Sequence, residues 1–181
     1  ANNYRGNNEI KLSVVRYGNV LGSRGSIIPL FLNQRKTGTI SITDERMTRF
    51  NITVDQGVQF VLDSIEKMWG GETFIPRIPS FRVIDLATAI APECKRKIIG
   101  IRPGEKLHED LITKNDSLNC VEFNDYFVML PSTRLWDVDK FIQNSHSSTG
   151  KMCEEGWSYN SGTNPIFLSE NQIRKLIKHF Q

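Results

Sequence analysis

The chain has 181 residues, of which 39% are hydrophobic and 24% are charged, and 23 Lys and Arg against 20 Asp and Glu give a net charge of +3. This length suits one domain or slightly more, and the near-average composition excludes disordered, collagen-like and coiled-coil chains. No window reaches the roughly 18 uncharged apolar residues of a membrane span, and the charge surplus is too small to indicate a nucleic-acid-binding protein.

The first predicted elements form a strand, a loop and a helix. Residues 10–17 are mostly apolar and β-branched, which is typical of a buried strand in a parallel sheet covered on both faces. Three glycines in residues 18–25 allow tight turns. Ser26 favours the N-cap of a helix of about ten residues, which tolerates Pro29 in its first turn and ends before Gly38.

A second helix is predicted by a capping box at Thr53 and Gln56, followed by apolar residues at helical spacing. Gly70 and Gly71 end this helix. The apolar positions of the helix are Val54, Val58, Val61, Leu62, Ile65 and Met68.

The remaining elements continue the alternation of strands and helices. Strands are predicted at 73–75, 97–101 and 126–130, and a helix at 84–91 ends before Pro92. Ser169 caps a last helix with Ile173, Leu176, Ile177 and Phe180 on one face. This order of elements predicts an α/β fold.

Three arginines lie in loops beside glycine or short polar residues: Arg24, Arg49 and Arg102. A guanidinium offers a planar fork of donors that matches phosphate oxygens, so three such loops that converge would form a diphosphate site. Glu105 could accept hydrogen bonds from sugar hydroxyls. The alternatives are that each arginine is a solvated surface charge and that Glu105 pairs with Lys106.

No complete catalytic or metal-binding motif accompanies these loops. His108-Glu109 starts like a zinc-protease helix, but Ile112 occupies the position of the second histidine. The three cysteines are scattered and lack a Cys-x-x-Cys spacing, which predicts reduced thiols in a cytoplasmic protein and neither a disulfide framework nor a zinc site. Phosphate-type loops without a nucleophile or a dinucleotide fingerprint indicate half of an active site.

Four segments then identify a family. Residues 14–20 (VVRYGNV), 22–26 (GSRGS), 42–50 (ITDERMTRF) and 98–109 (IIGIRPGEKLHE) resemble the nucleotide-sugar 4,6-dehydratases of the extended short-chain dehydrogenase/reductase superfamily. The similarity is strongest to the inverting UDP-N-acetylglucosamine 4,6-dehydratases that open pseudaminic acid biosynthesis in bacteria. The polysaccharide-biosynthesis dehydratases are close cousins.

The resemblance implies the C-terminal part of an NAD(P)-binding Rossmann fold plus a small α/β substrate-binding lobe. Residues 1–25 and 53–76 would belong to the NADP-binding domain, residues 26–52 and 77–181 would form the UDP-sugar lobe, and the N-terminal Rossmann half would be absent. The family's Tyr-x-x-x-Lys pair and its acid–base residues would precede Ala1, so no catalytic residue and no metal ligand is assigned. The whole protein is expected to be a cytoplasmic homo-oligomer that binds neither nucleic acid nor membrane.

The resemblance also implies a reaction and its binding residues. With NADP as cofactor, UDP-N-acetylglucosamine would lose water across C5–C6 and become a 4-keto-6-deoxy sugar with inversion at C5. Asn19 would contact the UDP-sugar, Arg49 and Arg102 would clamp the diphosphate, and Glu105 would hold the uridine ribose. The nicotinamide side of the cofactor site would be lined by Val20, Leu21, Gly22, Ser23 and Arg24. Asn51 departs from the family, whose members usually have a large apolar residue there.

Two other readings of the chain stay open. It could be a stand-alone, non-catalytic UDP-sugar-binding module, or a subunit that needs a separate Rossmann chain. In either reading a Rossmann sheet without its first strands exposes an edge and apolar faces, so we expect the isolated chain to be aggregation-prone or poorly folded.

Overall fold

A computed structural model describes residues 10–23, 25–133, 136–144 and 150–180. Strands and helices alternate along most of the chain, which confirms the predicted α/β fold class. The helices are α1 (Ile27–Arg35), α2 (Val54–Lys67), α3 (Val83–Ile90), α4 (Val138–Asn144) and α5 (Glu170–Ile177). The strands are β1 (Val14–Val15), β2 (Asn19–Val20), β3 (Thr39–Ile42), β4 (Thr48–Ile52), β5 (Thr73–Pro76), β6 (Ser80–Arg82), β7 (Lys95–Ile98), β8 (Asp110–Ile112), β9 (Cys120–Glu122), β10 (Tyr126–Met129), β11 (Lys151–Met152) and β12 (Tyr159–Asn160).

The chain divides into two compact units. Unit 1 takes its described residues from Ala1–Tyr17, Asp55–Arg77 and Asp110–Tyr159, and unit 2 takes them from Gly18–Val54, Ile78–Glu109 and Asn160–Gln181. This division differs from the predicted one mainly at residues 110–159, which group with the strands at 14–15 and 73–76. The assignment of segments to a cofactor domain and a substrate lobe stays a prediction.

Unit 1 is built on a five-stranded sheet in the order β1-β5-β10-β9-β11. Strands β1 and β5 pair in parallel, with the first segment of unit 2 and then α2 between them in the chain, whereas the other neighbours are antiparallel. One face of this sheet carries an aromatic-rich core, because alternate residues of each strand point to the same side. Its buried members are Phe74, Val121, Phe123, Tyr126, Val128 and Phe141.

The prediction of a buried strand over residues 10–17 is wrong in its length and its burial. Only Val14 and Val15 are paired, and the side chains of Ile10, Leu12 and Val14 are exposed. In the described part of the chain β1 is an edge strand with β5 as its one neighbour, and the exposure of its apolar side chains shows that its faces are not both covered.

Helix α2 begins and ends where the pattern predicts, but much of its apolar stripe faces solvent. Phe60 and Met68 pack against the aromatic core of unit 1. The exposed apolar residues of the helix are Val54, Val58, Leu62 and Ile65, each more than half exposed. The amphipathic pattern therefore predicted the helix correctly, while the described residues cover only part of its apolar surface.

Unit 2 combines a three-stranded sheet (β2-β4-β6) with a parallel pair (β3-β7). Helices α1, α3 and α5 contribute side chains to its core, which includes Ile28, Phe31, Leu86, Ile90 and Ile177. Helix α5 starts with the complete capping box of Ser169 and Gln172, since each side chain bonds the backbone of the other. The predicted start of this helix is confirmed.

Strand β7 lies slightly earlier in the chain than residues 97–101. Its pairing with β3 runs from Thr39 opposite Lys95 to Ile42 opposite Ile98, and Gly100 then turns the chain at a φ of 84°. Arg102 and Gly104, which follow this turn, therefore lie outside the β3–β7 pair.

No helix in the described ranges combines the length and the apolar character that a bilayer span requires. Across the same residues, no group of three or more His, Cys, Asp or Glu side chains is placed to hold a metal ion.

Candidate functional site

A cavity of about 540 Å³ lies entirely within unit 2. Its wall is built from β2, one side of α1, the end of β3 with Thr43, strand β4, Phe81 of β6 and the loop after β7. Seven predicted site residues line it: Asn19, Val20, Leu21, Gly22, Arg49, Arg102 and Glu105. Ser23 is not among the lining residues, and Arg24 lies outside the described residues. The structure thus brings together segments that are far apart in the sequence.

Arg49 is held firmly on β4. Its Nη1 donates to the carbonyl oxygens of Thr48 (2.7 Å) and Leu107 (3.2 Å), and its Nε lies 3.3 Å from Glu109 Oε1. The side chain is only 15% exposed. Because these bonds fix the plane of the guanidinium, its remaining N–H groups are available to a ligand at low entropic cost. The reading of Arg49 as a solvated surface charge is wrong.

A buried hydrogen-bond network lies beside Arg49. Thr48 Oγ1 is 2.7 Å from His108 Nδ1 and 2.8 Å from Ser161 Oγ. Ser161 Oγ also accepts a hydrogen bond from the backbone N–H of Glu109 (2.8 Å). Ser161 therefore connects the strand that carries Arg49 to the segment that carries its carboxylate partner, Glu109.

The pKa of the Glu109 carboxyl group is raised. Burial raises its pKa above the ordinary value of 4.5, and the positive charges of Arg49 and Lys106 offset this only in part. The Arg49–Glu109 contact is consequently a partly desolvated ion pair, whose strength depends on pH.

Arg102 and Glu105 belong to one tight turn. Glu105 N donates to Arg102 O (3.0 Å), Arg102 N donates to Glu105 Oε2 (3.3 Å), and Thr43 Oγ1 donates to Glu105 Oε1 (3.3 Å). Gly104 adopts a φ of 81°, which the turn requires. Within the described ranges no acidic group lies within 4.0 Å of the Arg102 guanidinium, and Glu105 forms no ion pair with Lys106. Arg102 therefore offers the cavity an uncompensated positive charge.

The start of α1 adds a third feature suited to an anion. Ser26 occupies the N-cap position as predicted, but its hydroxyl makes no cap bond, and its oxygen is buried without a partner. The first turn of the helix carries no acidic residue. Free backbone N–H groups and the helix dipole at this end both favour a negatively charged ligand.

Polar residues that the sequence analysis did not assign also line the cavity. Asn51 is 3% exposed and lies opposite Asn19 in the register of β2 and β4. Gln34, Ser41 and Thr43 form another polar stretch, in which Ser41 N donates to Gln34 Oε1 (3.0 Å). Only Asn51 gave a signal in the sequence, as a departure from the family pattern. The others are recognisable only from the fold.

Three of the residues predicted for the cofactor side, Val20, Leu21 and Gly22, line the cavity, and their role stays a prediction. Val20 and Leu21 present apolar surface to the cavity, and Leu21 N donates to Ile52 O (2.8 Å), which fixes the backbone. Gly22 adopts a φ of 72°, and a Cβ there would overlap the ring of Phe180. The need for glycine at this position thus comes from the turn and from Phe180.

The sequence matches the family described as polysaccharide biosynthesis proteins over residues 1–131. A UDP-N-acetylglucosamine 4,6-dehydratase (inverting) of Campylobacter jejuni is 47% identical over 182 aligned residues, which cover 99% of this chain and 54% of the relative. An uncharacterized membrane protein of Methanocaldococcus jannaschii is 36% identical over 195 residues, with 98% and 52% coverage.

A solved structure is also similar to this chain. The X-ray structure of Pen from Bacillus thuringiensis matches with a TM-score of 0.79 and 32% identity, over 99% of this chain and 53% of that chain. The chain therefore spans about half the length of the curated relatives it matches.

Proposed function

Because the chain belongs to the family of polysaccharide biosynthesis proteins, we propose that it is the UDP-sugar-binding part of a nucleotide-sugar 4,6-dehydratase. The reaction would convert UDP-N-acetylglucosamine to a 4-keto-6-deoxy UDP-sugar with inversion at C5, for bacterial surface or flagellar glycans. One observation carries the proposal: a single cavity of unit 2 gathers Asn19, Arg49, Arg102 and Glu105. The 47% identity to a dehydratase of that name supports the choice of substrate.

Each of these side chains has chemistry that suits one part of a UDP-sugar. The guanidinium groups of Arg49 and Arg102 would bind the diphosphate, and the N-terminus of α1 with the Ser26 hydroxyl would add donors to it. Glu105, whose carboxylate is already oriented by Thr43 and by the Arg102 backbone, would accept hydrogen bonds from ribose hydroxyls. Asn19 would contact the sugar end.

The proposed cofactor is NADP. When bound, it would supply the acceptor for the hydride that leaves C4 and the donor of the hydride that returns to C6. Val20, Leu21 and Gly22 would line its nicotinamide side together with Ser23 and Arg24. No residue of this chain is proposed as a catalytic acid, base or nucleophile, so this chain alone would bind substrate without turning it over.

We place the whole protein in the cytoplasm as a homo-oligomer, with UDP-N-acetylglucosamine as its partner molecule and without a membrane or a nucleic acid. The thiols of Cys94, Cys120 and Cys153 are free, as is usual for proteins of a reducing compartment.

Calorimetric titration of the chain with UDP, UDP-N-acetylglucosamine and uridine tests the proposal. We expect both diphosphates to bind and uridine to bind at least tenfold more weakly, because it lacks the groups that the arginines recognise. Equal affinity for all three, or binding of none, would contradict the assigned site. A protein of the relatives' length should then produce the 4-keto sugar in the presence of NADP, and failure there would remove the dehydratase reaction.

A second function is favoured by the completeness of the cavity. Every lining residue belongs to unit 2, so the chain is equipped to act as a stand-alone UDP-sugar-binding module or as a subunit that works with a separate Rossmann chain. The coding sequence upstream of this segment separates the readings. A Gly-rich loop and a Tyr-x-x-x-Lys pair in frame would support the enzyme, and their absence would support the module.

A further inference from the structure

Two cysteines that are far apart in the sequence lie opposite each other in unit 1. Lys151 pairs with Glu122 and Met152 with Val121, so the next position of this antiparallel register places Cys153 opposite Cys120. The backbone N–H of Cys153 donates to the carbonyl of Cys120 (2.8 Å). Residues that face each other in a hydrogen-bonded antiparallel pair have Cα atoms about 5.5 Å apart, which lies within the range that a disulfide spans.

The two thiols are in different environments. Cys120 is fully buried, whereas Cys153 is half-buried. The thiol of Cys120 hydrogen-bonds to Cys153, which lowers the pKa of Cys153 and, together with burial, raises the pKa of Cys120. The more accessible sulfur is thus the one that more readily becomes a thiolate, the form that attacks disulfides.

Charged side chains act on the accessible sulfur from nearby positions in unit 1. An open cleft of about 420 Å³ in the same unit is lined by Arg77, Glu122, Phe123, Asn124 and Lys151. Arg77 is paired with Glu122 at 2.7 Å, and within the described ranges no acidic group lies within 4.0 Å of the Lys151 ammonium. The hydrogen bond with Cys120 does most to lower the pKa of Cys153, burial and the Glu122 carboxylate oppose it, and the positive charges of Arg77 and Lys151 add to the lowering. Lys151 lies two residues before Cys153 in the chain, so on an extended strand its unpaired ammonium and the Cys153 sulfur are on the same face.

We propose that Cys153 and Cys120 form a thiol–disulfide exchange site for low-molecular-weight disulfides that carry carboxylate groups, such as glutathione disulfide. Cys153 is the attacking residue, Cys120 is the resolving residue, and Lys151 attracts the carboxylate of the reagent. The residues of this site all belong to unit 1, whereas those of the cavity that carries the proposed function all belong to unit 2.

The exchange proceeds in two steps. The Cys153 thiolate attacks one sulfur of the reagent, the reagent's S–S bond breaks, and one thiolate leaves and takes up the proton that Cys153 had lost. Cys120 then loses its proton and attacks Cys153 Sγ, so that a Cys120–Cys153 disulfide forms and a second small thiol departs. The two protein thiols are oxidised and the reagent is reduced to two thiols.

Intact-mass and non-reduced peptide mass spectrometry after incubation of the chain with glutathione disulfide test this proposal. The unsubstituted chain should lose two hydrogen masses and yield a peptide pair linked through Cys120 and Cys153. The Cys120→Ser variant should instead accumulate one glutathionyl group on Cys153, and the Cys153→Ser variant should react at least tenfold more slowly.

Cys94 provides an internal control for folding. It is buried in unit 2 and its Sγ lies 3.6 Å from the Arg35 carbonyl oxygen, so a folded chain should leave it unmodified. Modification of Cys94 as fast as Cys153, or capture of the adduct on Cys120 first, would overturn the proposal.

The carboxylate preference is tested with Lys151→Gln. We expect its reaction with glutathione disulfide to slow severalfold, while its reaction with the uncharged bis(2-hydroxyethyl) disulfide stays unchanged. Lys140→Gln, a matched change of an exposed lysine on α4, should alter neither rate. Equal slowing with both reagents, or none with either, would remove the recognition of carboxylates.

Discussion

The two units of the chain differ in how they arrange their polar and apolar side chains. In unit 2 the polar and charged groups converge on one cavity, and the apolar side chains of α1, α3 and α5 are gathered into a core beneath it. In unit 1 the strand β1 and the helix α2 keep large apolar side chains in solvent, among them Val14, Val58 and Leu62. Unit 2 closes its site with its own residues although it also exposes apolar side chains such as Leu30 and Ile99, whereas unit 1 exposes a helical apolar stripe on α2.

The buried polar atoms that lack a hydrogen-bond partner also differ between the two units. Among the described residues of unit 2, the buried oxygen without a partner is Ser26 Oγ, which belongs to a residue that lines the cavity. In unit 1 the corresponding atoms are Ser13 Oγ and Glu72 Oε2, beside the parallel pair of β1 and β5. We infer that ligand binding can be tested on this chain through unit 2, while the stability of the chain is limited by unit 1.

The largest effect is expected from the removal of Arg49. Arg49→Ala should weaken UDP binding roughly 100-fold, because two charge-assisted hydrogen bonds to the diphosphate contribute about 3 kcal/mol together. Calorimetric titration measures this loss. Arg46→Ala is the matched control, since Arg46 pairs with Asp44 on the surface and does not line the cavity. A loss below threefold for Arg49→Ala would place the diphosphate elsewhere.

Arg102 should give a smaller effect of the same kind. Arg102→Ala should weaken UDP binding roughly tenfold, or about 1.4 kcal/mol, because this exposed guanidinium is not pre-oriented as Arg49 is. The melting temperature should not change, since the described contacts of the Arg102 side chain do not include an ion pair. Arg96→Ala serves as control, because Arg96 is exposed and donates to Thr88 away from the cavity. Equal losses for Arg96 and Arg102 would indicate general charge attraction.

Substitutions of the exposed apolar residues of α2 test the difference in exposed apolar surface between the units. The double variant Val58→Glu and Leu62→Lys should raise the monomeric fraction in light scattering, because it removes apolar surface that drives association. Its free energy of unfolding should change by less than about 0.5 kcal/mol, as for other exposed sites. Ile42→Ala in the core of unit 2 should cost about 2–5 kcal/mol. A comparable loss in the double variant would mean that the stripe is packed in solution.

The parts of the fold that were predicted correctly have strong local signals. Helix α2 follows an apolar period of helical spacing, and Ser169 with Gln172 marks the start of α5 within four residues. By contrast, β3 and β4 were not predicted. They are four and five residues long, and their partners β7 and β6 lie dozens of residues away, so pairing and not local sequence defines them.

The site shows the same distinction between local and long-range information. The loop arginines were recognisable because their chemistry is visible in each loop, and the family resemblance gave Asn19 and Glu105 roles that stay predictions. The unbonded hydroxyl of Ser26 and the opposition of Cys120 and Cys153 depend on distances that only the folded chain defines. The sequence also did not predict that the apolar face of α2 is exposed, because an apolar period indicates a face without showing what covers it.

The smallest expected effect concerns the pH dependence that Glu109 gives to unit 2. Burial raises the pKa of its carboxyl in the folded state, so folding favours the protonated form, and this contribution to stability is present below pH 4.5 and lost as the pH rises through the folded-state pKa. Glu109→Gln removes that titration. The melting temperature of the unsubstituted chain, relative to the variant, should therefore fall by a few degrees or less between pH 4.5 and neutral pH. A difference that instead grows with pH would show that the ion pair with Arg49 outweighs the burial of the carboxylate.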